Sequence, residues 1–491
     1  MSDINSQNIG NKAVGGFFWK FSEKIGSQFV SFIVQLILAR LLLPNDYGIV
    51  ALLTVFLNIC DVFIRTGLTT ALIQKKDADQ KDFSSVYYAN ILVSIVLYVI
   101  LFGCAPLLSI FFHEPLLVNI TRVLSLNIII GAFSAVHNAI LSRKLEFKKS
   151  FVINLSNVLV HGLVGVILAI KGFGPWALAY SSIAGTFVGF LVLSFVVKWT
   201  PSLFFSLKRI KSLFSYSSKV FTSNLLNTLF NNLQSLVIGK FYTNSDLAFY
   251  QRGQTIPQTL MTAVDGSLNE VMYPAYSHLQ LDYERLRSAL RRTLRLSMYI
   301  CFPLMTGLCI LSKPLTLVLL TEKWLPCVPF MQLQCILCIF WPLSTINHAI
   351  NAIGKSGVVL KINIISKGLT ILFVIICIPY GVYAIMLGSL FSSVISILFV
   401  SMKYYRRYLN YGLKNILLDL RSSAIFSIIM GISMYLINTL GLNVLVQITV
   451  QIAIGVLVYW ICSVLTNNED YSYIKCFAVN KFYKRRNNIY S

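Results

Sequence analysis

Charge is scarce in this chain. Only 12% of its 491 residues are Asp, Glu, Lys or Arg, and 56% are hydrophobic. Soluble domains carry roughly 25% charged residues, so a soluble fold of this size would lack the polar surface it needs. Acidic residues are the scarcest, 18 against 41 Lys and Arg, for a formal net charge of +23. Long loops are missing too: none exceeds about 20 residues, which leaves no room for a separate extramembrane domain. The N-terminal stretch MSDINSQNIGNK is polar, and the long apolar run after it has no small-residue cleavage site, so it reads as a retained span rather than a leader. No G-x-x-x-x-G-K-[ST] loop is present, which excludes ATP hydrolysis by that route. Cys335 and Cys338 form C-x-x-C without a second pair or a His-x-x-x-His partner, and most of the ten cysteines lie in apolar runs. Neither a metal site, nor a disulfide framework, nor a cofactor is expected. The five histidines form no cluster.

What is there is apolar length. A span needs roughly 20 mostly apolar residues. Runs of that kind lie near 14–38, 47–73, 84–111, 115–141, 151–170, 175–197, 212–239, 247–275, 293–320, 327–350, 357–377, 381–402, 422–440 and 444–466. The expected fold is therefore an all-α polytopic membrane protein of about 14 transmembrane helices. With the N-terminus inside, basic residues crowd alternate loops, as in Arg143, Lys144, Lys148 and Lys149, or Lys403, Arg406 and Arg407. The opposite loops hold only Arg40, Lys171, Lys240, Lys313 and Lys323. That alternation is the positive-inside pattern, with both termini cytoplasmic. It accounts for the basic excess without nucleic acid.

The sequence hints at duplication. Leu36-Ile37-Leu38-Ala39-Arg40 is followed by Asn45-Asp46, and Leu236-Val237-Ile238-Gly239-Lys240 is followed by Ser245-Asp246, at one constant offset. Two halves would fit the repeats of transporters. The expected division is 1–205 for a first lobe of six spans, 206–405 for a second, and 406–491 for two additional spans and a basic tail.

Charge at membrane depth is costly, about 2.5–3.5 kcal/mol on insertion scales, so a charged side chain there should face a cavity or a partner. In the first run Lys20, Lys24, Ser27, Ser31 and Gln35 share one helical face, with Glu23 beside Lys24. Asn58, Asp61 and Arg65 repeat the pattern in the second. Asn224, Asn227, Asn231 and Gln234 make an amide stripe in the seventh, after Lys219. In the eighth, Arg252, Thr255, Thr259, Thr262 and Asn269 line a face near Asp265 and Glu270. These stripes imply a central aqueous cavity walled by spans one, two, seven and eight, between two pseudo-symmetric lobes. Lys20, Lys24, Arg65, Lys219 and Arg252 suit an anion, and phosphate is the natural one. Blander readings stay open. Lys20 and Lys219 can snorkel to the interface, Arg65 can pair with Asp61, Arg252 can pair with a carboxylate of its own lobe, and the Asn stripe can join helices. Arg122, Lys361 and Lys367 read as interfacial.

The segment Leu38-Ala39-Arg40-Leu41-Leu42-Leu43-Pro44-Asn45-Asp46-Tyr47-Gly48 resembles the L-A-R-x-L-x-P-x-D-[YF]-G signature of Wzx-type polysaccharide flippases. Gly67-Leu68-Thr69-Thr70-Ala71-Leu72-Ile73-Gln74 is similar to the G-x-x-x-A-L-I-Q that follows it there. Tyr250-Gln251-Arg252 and Val271-Met272-Tyr273-Pro274-Ala275 are similar to the two ends of that family's eighth span. The resemblance implies membership of the multidrug/oligosaccharidyl-lipid/polysaccharide exporter superfamily (a MATE-like fold). It implies translocation of polyprenyl-pyrophosphate-linked oligosaccharide to the outer leaflet of the bacterial inner membrane by alternating access. It also implies cavity-lining roles for Lys24 and Arg252, with Arg65 a weaker match, and a polysaccharide polymerase and chain-length proteins as partners. Arg40 and Asp46 carry the signature, but a loop-shaping role with Pro44 and Gly48 fits them better than substrate contact. An acidic cavity would instead mark a cation or drug antiporter; Asp61, Asp265 and Glu270 keep that reading open, though the cations outnumber them. A membrane polymerase or glycosyltransferase would need sizeable outer loops and a D-x-D motif, which the loops lack.

Overall fold

The computed structural model describes residues 26–75, 77–144, 146–280, 282–473 and 475, and they are helical throughout, with no strand among them. The chain starts with α1 (Gly26–Leu41), α2 (Pro44–Arg65), α3 (Leu68–Gln74) and α4 (Gln80–Phe112). Next come α5 (Leu117–Leu124), α6 (Leu126–Lys144), α7 (Phe147–Ile170), α8 (Pro175–Val197) and α9 (Leu207–Phe241). Then follow α10 (Asn244–His278), α11 (Tyr283–Leu319), α12 (Val328–Ile339), α13 (Ser344–Ala352) and α14 (Ser356–Cys377). The last are α15 (Val382–Ile395), α16 (Met402–Leu409), α17 (Leu413–Leu436) and α18 (Val444–Leu465).

Eleven helical segments among the described residues are long and apolar enough to cross a bilayer. The protein is a multi-pass membrane protein. Helix α1 is apolar but short. Helices α9 and α10, each 35 residues, have the length but are too polar to join the eleven. The segments that fall short are thus three of those in which the sequence sets polar side chains on one face.

Several expected runs are broken helices. The run 115–141 bends at Ser125, whose hydroxyl bonds back to the Thr121 carbonyl. The run 327–350 is interrupted by a 3-10 turn at Trp341–Leu343, where Pro342 supplies no backbone N–H. The run 381–402 passes through a π-helical stretch at Ser396–Ser401.

The chain forms two compact units, one ending at Ala248 and one starting at Phe249. Helix α9 belongs to the first. In the first unit α7 approaches α8 so closely that a Cβ on Gly185 would lie 2.9 Å from the Asn157 carbonyl oxygen. Small residues permit such backbone approach between membrane helices. Val34 and Leu38 of α1, with Leu42 just after it, pack on Ala169, Ala177 and Leu178. In the second unit Cys301, Met305, Met331, Cys335 and Cys338 form an apolar cluster with Met261. Arg291 forks onto Asp419 at 2.9 and 2.6 Å, and the Tyr411 hydroxyl donates to the same carboxylate at 2.7 Å.

Candidate functional site

The repeated turn is visible in three dimensions. After α1, the Leu43 backbone N–H donates to the Asp46 carboxylate at 3.0 Å. After α9, the Thr243 N–H donates to the Asp246 carboxylate at 3.2 Å. The donors and the acceptors each stand 200 residues apart. Each aspartate thus caps the first turn of the next helix, and its charge is favoured there by the helix dipole. Asp46 has the loop-shaping place its signature suggests.

The two turns also touch. A Cβ on Gly48 would fall 1.8 Å from the Asn244 carbonyl oxygen, so only glycine fits between them. Nearby, Leu52 packs onto Gly239, and further along the ring of Phe63 meets Phe221 edge-on at 5.1 Å. As α2 advances its partner in α9 recedes, so the helices are antiparallel. Asn244 is tied to Glu114 at 2.9 Å, and the Lys240 ammonium lies 4.2 Å from the Phe111 ring centre.

Beyond the first turn of α2 the exposed or half-exposed polar residues are Thr54, Asn58, Asp61 and Arg65, spaced by four, three and four along one face. On α9 the exposed Lys219, Ser223, Asn227 and Asn231 follow one another at four-residue steps along one side, with Thr222 also exposed next to Ser223. Both stripes, which the sequence assigns to spans two and seven, lie in the first unit, on faces of α2 and α9 turned away from the contacts that Leu52 and Phe63 make with Gly239 and Phe221. Asn224 is half-buried beside the exposed face. Arg65 Nε donates to Asp61 Oδ1 at 2.7 Å, with side chains 56% and 46% exposed. That is the i, i+4 pair allowed by spacing. An exposed pair of this type is worth only about 0.3–0.5 kcal/mol, so Arg65 can exchange its carboxylate for another anion at little cost.

Arg252 lies on α10 in the second unit, its guanidinium carbon 5.3 Å from the centre of the fully buried Trp324 ring. Its neighbour Gly253 admits the Cys327 carbonyl, which a Cβ would approach to 2.9 Å. The hydroxyls of Thr255, Thr259 and Thr262 donate to backbone carbonyls one turn earlier, so these three offer only acceptor lone pairs. Lys20, Lys24 and Glu23 lie outside the described residues. Of the face they begin, Ser31 and Gln35 are joined at 3.3 Å.

Sequence reasoning misplaced one lysine. Lys367 is the twelfth of the 22 residues of α14, at mid-span rather than at an interface. Beside it runs a hydroxyl ladder: Ser366 meets Ser396, and Thr370 meets Ser392 at 3.1 Å. The run of hydroxyl residues from Ser389 to Ser396 was the available signal. A second omission is Asp82, fully buried between Lys75 at 2.5 Å and Arg209 at 2.8 Å. Arg209 also holds Asp79 at 2.6 Å, which draws that carboxyl down to about 2.

Comparison with known proteins places these features. A family model described as "Polysaccharide biosynthesis protein" matches residues 37–329, more than half of the chain. The succinoglycan biosynthesis transport protein ExoT of Rhizobium meliloti (strain 1021) is 27% identical over 345 residues, 69% of each chain. The lipopolysaccharide biosynthesis protein WzxC of Escherichia coli (strain K12) is 24% identical over 335 residues, 67% of each. Among solved structures, the lipid II flippase MurJ in an inward closed conformation superposes with a TM-score of 0.73 at 17% identity, covering 92% of this chain and 98% of its own. An inward-facing MATE transporter of the MOP superfamily superposes at 0.61 and 15% identity, covering 80% and 98%. The fold is that of the MOP exporters.

Proposed function

Because the chain belongs to the polysaccharide biosynthesis protein family, we propose that it is a flippase for polyprenyl-pyrophosphate-linked oligosaccharides. It carries them from the cytoplasmic to the outer leaflet of the bacterial inner membrane, for a surface polymer such as O-antigen, capsule or exopolysaccharide. Both termini are cytoplasmic, the chain catalyses no covalent step and needs no cofactor, and a polymerase and chain-length proteins take up its product. The residue ranges 1–205 and 206–405 are the two repeats, with 406–491 appended.

The observation that carries this reading is the pair of exposed polar stripes on α2 and α9. Exposed amides and cations at membrane depth are costly unless a polar ligand or water meets them. A pyrophosphate needs cations and N–H donors in place of its hydration shell. Arg65 and Lys219 supply charge, and Asn58, Asn227 and Asn231 supply amides for phosphate or sugar hydroxyls, with Asn224 alongside. Lys24 and Lys20 precede Ser27 on the same face of the first span and extend the set. Arg252 serves the second unit, oriented by its stack on Trp324. The prenyl tail stays in the bilayer. The carrier exposes the stripes to one side and then the other, so transport requires no bond to be made or broken. The relatives' names, a succinoglycan transport protein and a lipopolysaccharide biosynthesis protein, support this substrate class.

The test is reconstitution. Purified protein in liposomes should move a fluorescent polyprenyl-pyrophosphate oligosaccharide to the leaflet where an impermeant quencher cannot reach it. The double variant Arg65→Ala/Lys219→Ala should slow this at least tenfold at equal protein incorporation. Absence of movement with the wild type, or wild-type rates in the double variant, would sink the proposal.

A further inference from the structure

The segment joining α8 to α9 is not slack. It tightens at Leu203, where the Phe204 N–H donates to the Ser202 carbonyl at 2.7 Å, and its exposed and half-buried side chains alternate from Ser202 to Leu207. One set faces α4. The Ser202 N–H donates to Ser84 Oγ at 2.9 Å, and the Ser206 N–H to Ser85 Oγ at 3.3 Å. Phe204 sits under the Lys81 ammonium, 5.2 Å from the ring centre. Gln80 fastens the start of the segment by donating to the Thr200 carbonyl at 2.8 Å and accepting from the Trp199 indole at 2.7 Å. The other set points away: Leu203 is 99% exposed, Phe205 47% and Leu207 71%. Fixing three large apolar side chains outward on a backbone so thoroughly tied down calls for an apolar phase to receive them.

We propose that residues 198–211 form an interfacial anchor. Leu203, Phe205 and Leu207 enter the boundary of the leaflet beside the ends of α4 and α8, and Lys198, Lys208 and Lys211 hold anionic phospholipid headgroups. Three observations select lipid as the occupant. The seats of the segment, Ser84 and Ser85, are in the second turn of a membrane span, Gln80–Phe112, so the segment sits at interfacial depth. The exposed apolar surface continues from Phe195, 76% exposed in the last turn of α8. The stretch from Lys198 to Lys211 contains Lys198, Lys208, Arg209 and Lys211 and no acidic residue, and its three lysines are exposed. Basic residues around an apolar insertion are the recognition chemistry of an anionic membrane surface. This inference does not depend on what the protein transports.

The experiment is photocrosslinking of the full-length protein in its native membrane, with benzoylphenylalanine in place of Leu203. Illumination should give phospholipid adducts by mass spectrometry, as the same residue does at Ile167 on the exposed face of α7. Phosphatidylglycerol should be over-represented among them. That excess should fall by roughly fivefold for each of Lys198→Gln and Lys208→Gln, the factor for about 1 kcal/mol per basic residue at the surface. An adduct to another protein at position 203 would replace the bilayer by a protein partner and overturn the proposal. So would absence of any adduct while Ile167 still reacts with lipid, or an anionic excess indifferent to the lysines.

Discussion

Gly48→Ala puts a methyl group where the Asn244 carbonyl already stands. The new carbon would lie 1.8 Å from that oxygen, 2.3 Å from its carbon and 2.8 Å from the Asn244 Cα. All three are backbone atoms, so no rotamer change relieves the clash. Relief needs α2 and the α9–α10 turn to part by more than 1 Å. That strains the cap of Asp246 on Thr243 and the bond from Asn244 to Glu114, at 3.2 and 2.9 Å. Overpacking of this kind costs about 1–3 kcal/mol. Alanine also gains up to about 1 kcal/mol over glycine inside a helix, so the net loss should be about 1–2 kcal/mol. For a unit of this size that is roughly 2–8 °C in Tm. The assay is thermal denaturation in detergent, followed with a dye that fluoresces on reaching thiols, since Cys60, Cys301, Cys335 and Cys338 are buried. Gly103→Ala is the control, because nothing lies within 4 Å of the Cβ it would add. It should hold or raise the midpoint. A Gly48→Ala protein as stable as Gly103→Ala would refute the close approach of the two turns.

Other outcomes follow from the ion pairs. Asp419→Ala should cost about 2 kcal/mol in the same assay, since it strips a charged fork and a hydroxyl bond. Tyr411→Phe, which removes one bond, should cost about 1 kcal/mol; equal losses would mean that the Arg291 fork adds nothing beyond the hydroxyl bond. Asp79 titrates at about 2 when folded, against 3.8 ordinarily, because Arg209 and the Asp82 backbone bind its charged form. Its contribution is therefore complete above about pH 4 and lost as pH falls toward 2. Hydrogen exchange in residues 198–209 should quicken over that window, and Asp79→Asn should remove the dependence. Asp61→Asn should leave the thermal midpoint within about 0.5 kcal/mol of wild type, as an exposed pair allows. A loss of several kcal/mol would make the pair structural and remove Arg65 from the substrate set.

The turn that follows α1 and its copy 200 residues later show how one motif serves two purposes. The aspartate satisfies orphan N–H groups at the start of a helix. The glycine, present as Gly48 in the first copy and replaced by Ala248 in the second, admits the backbone of the opposite turn. The cap recurs at both turns, but only the first has the tight seat that needs a glycine, at Gly48.

Much was determined by the sequence alone. Apolar length and scarce charge require helices in a bilayer, because buried backbone N–H and C=O groups must bond within the segment. The 3.6-residue period showed that Asn58, Asp61 and Arg65 share a face, and that Asn227 and Asn231 follow Lys219 on another. The run from Pro44 to Gly48 already suggested a loop-shaping role for Asp46. Tertiary structure alone decided which faces meet. Periodicity gives a direction around a helix axis but not the neighbour standing there, so the antiparallel seating of α2 on α9 was not legible. Nor was the burial of Asp82 by Arg209, 127 residues away. The mid-span place of Lys367 could be read, since it stands eleventh of the 21 residues in the run 357–377; the hydroxyl ladder beside it could not, because packing alone pairs Ser366 with Ser396 and Thr370 with Ser392.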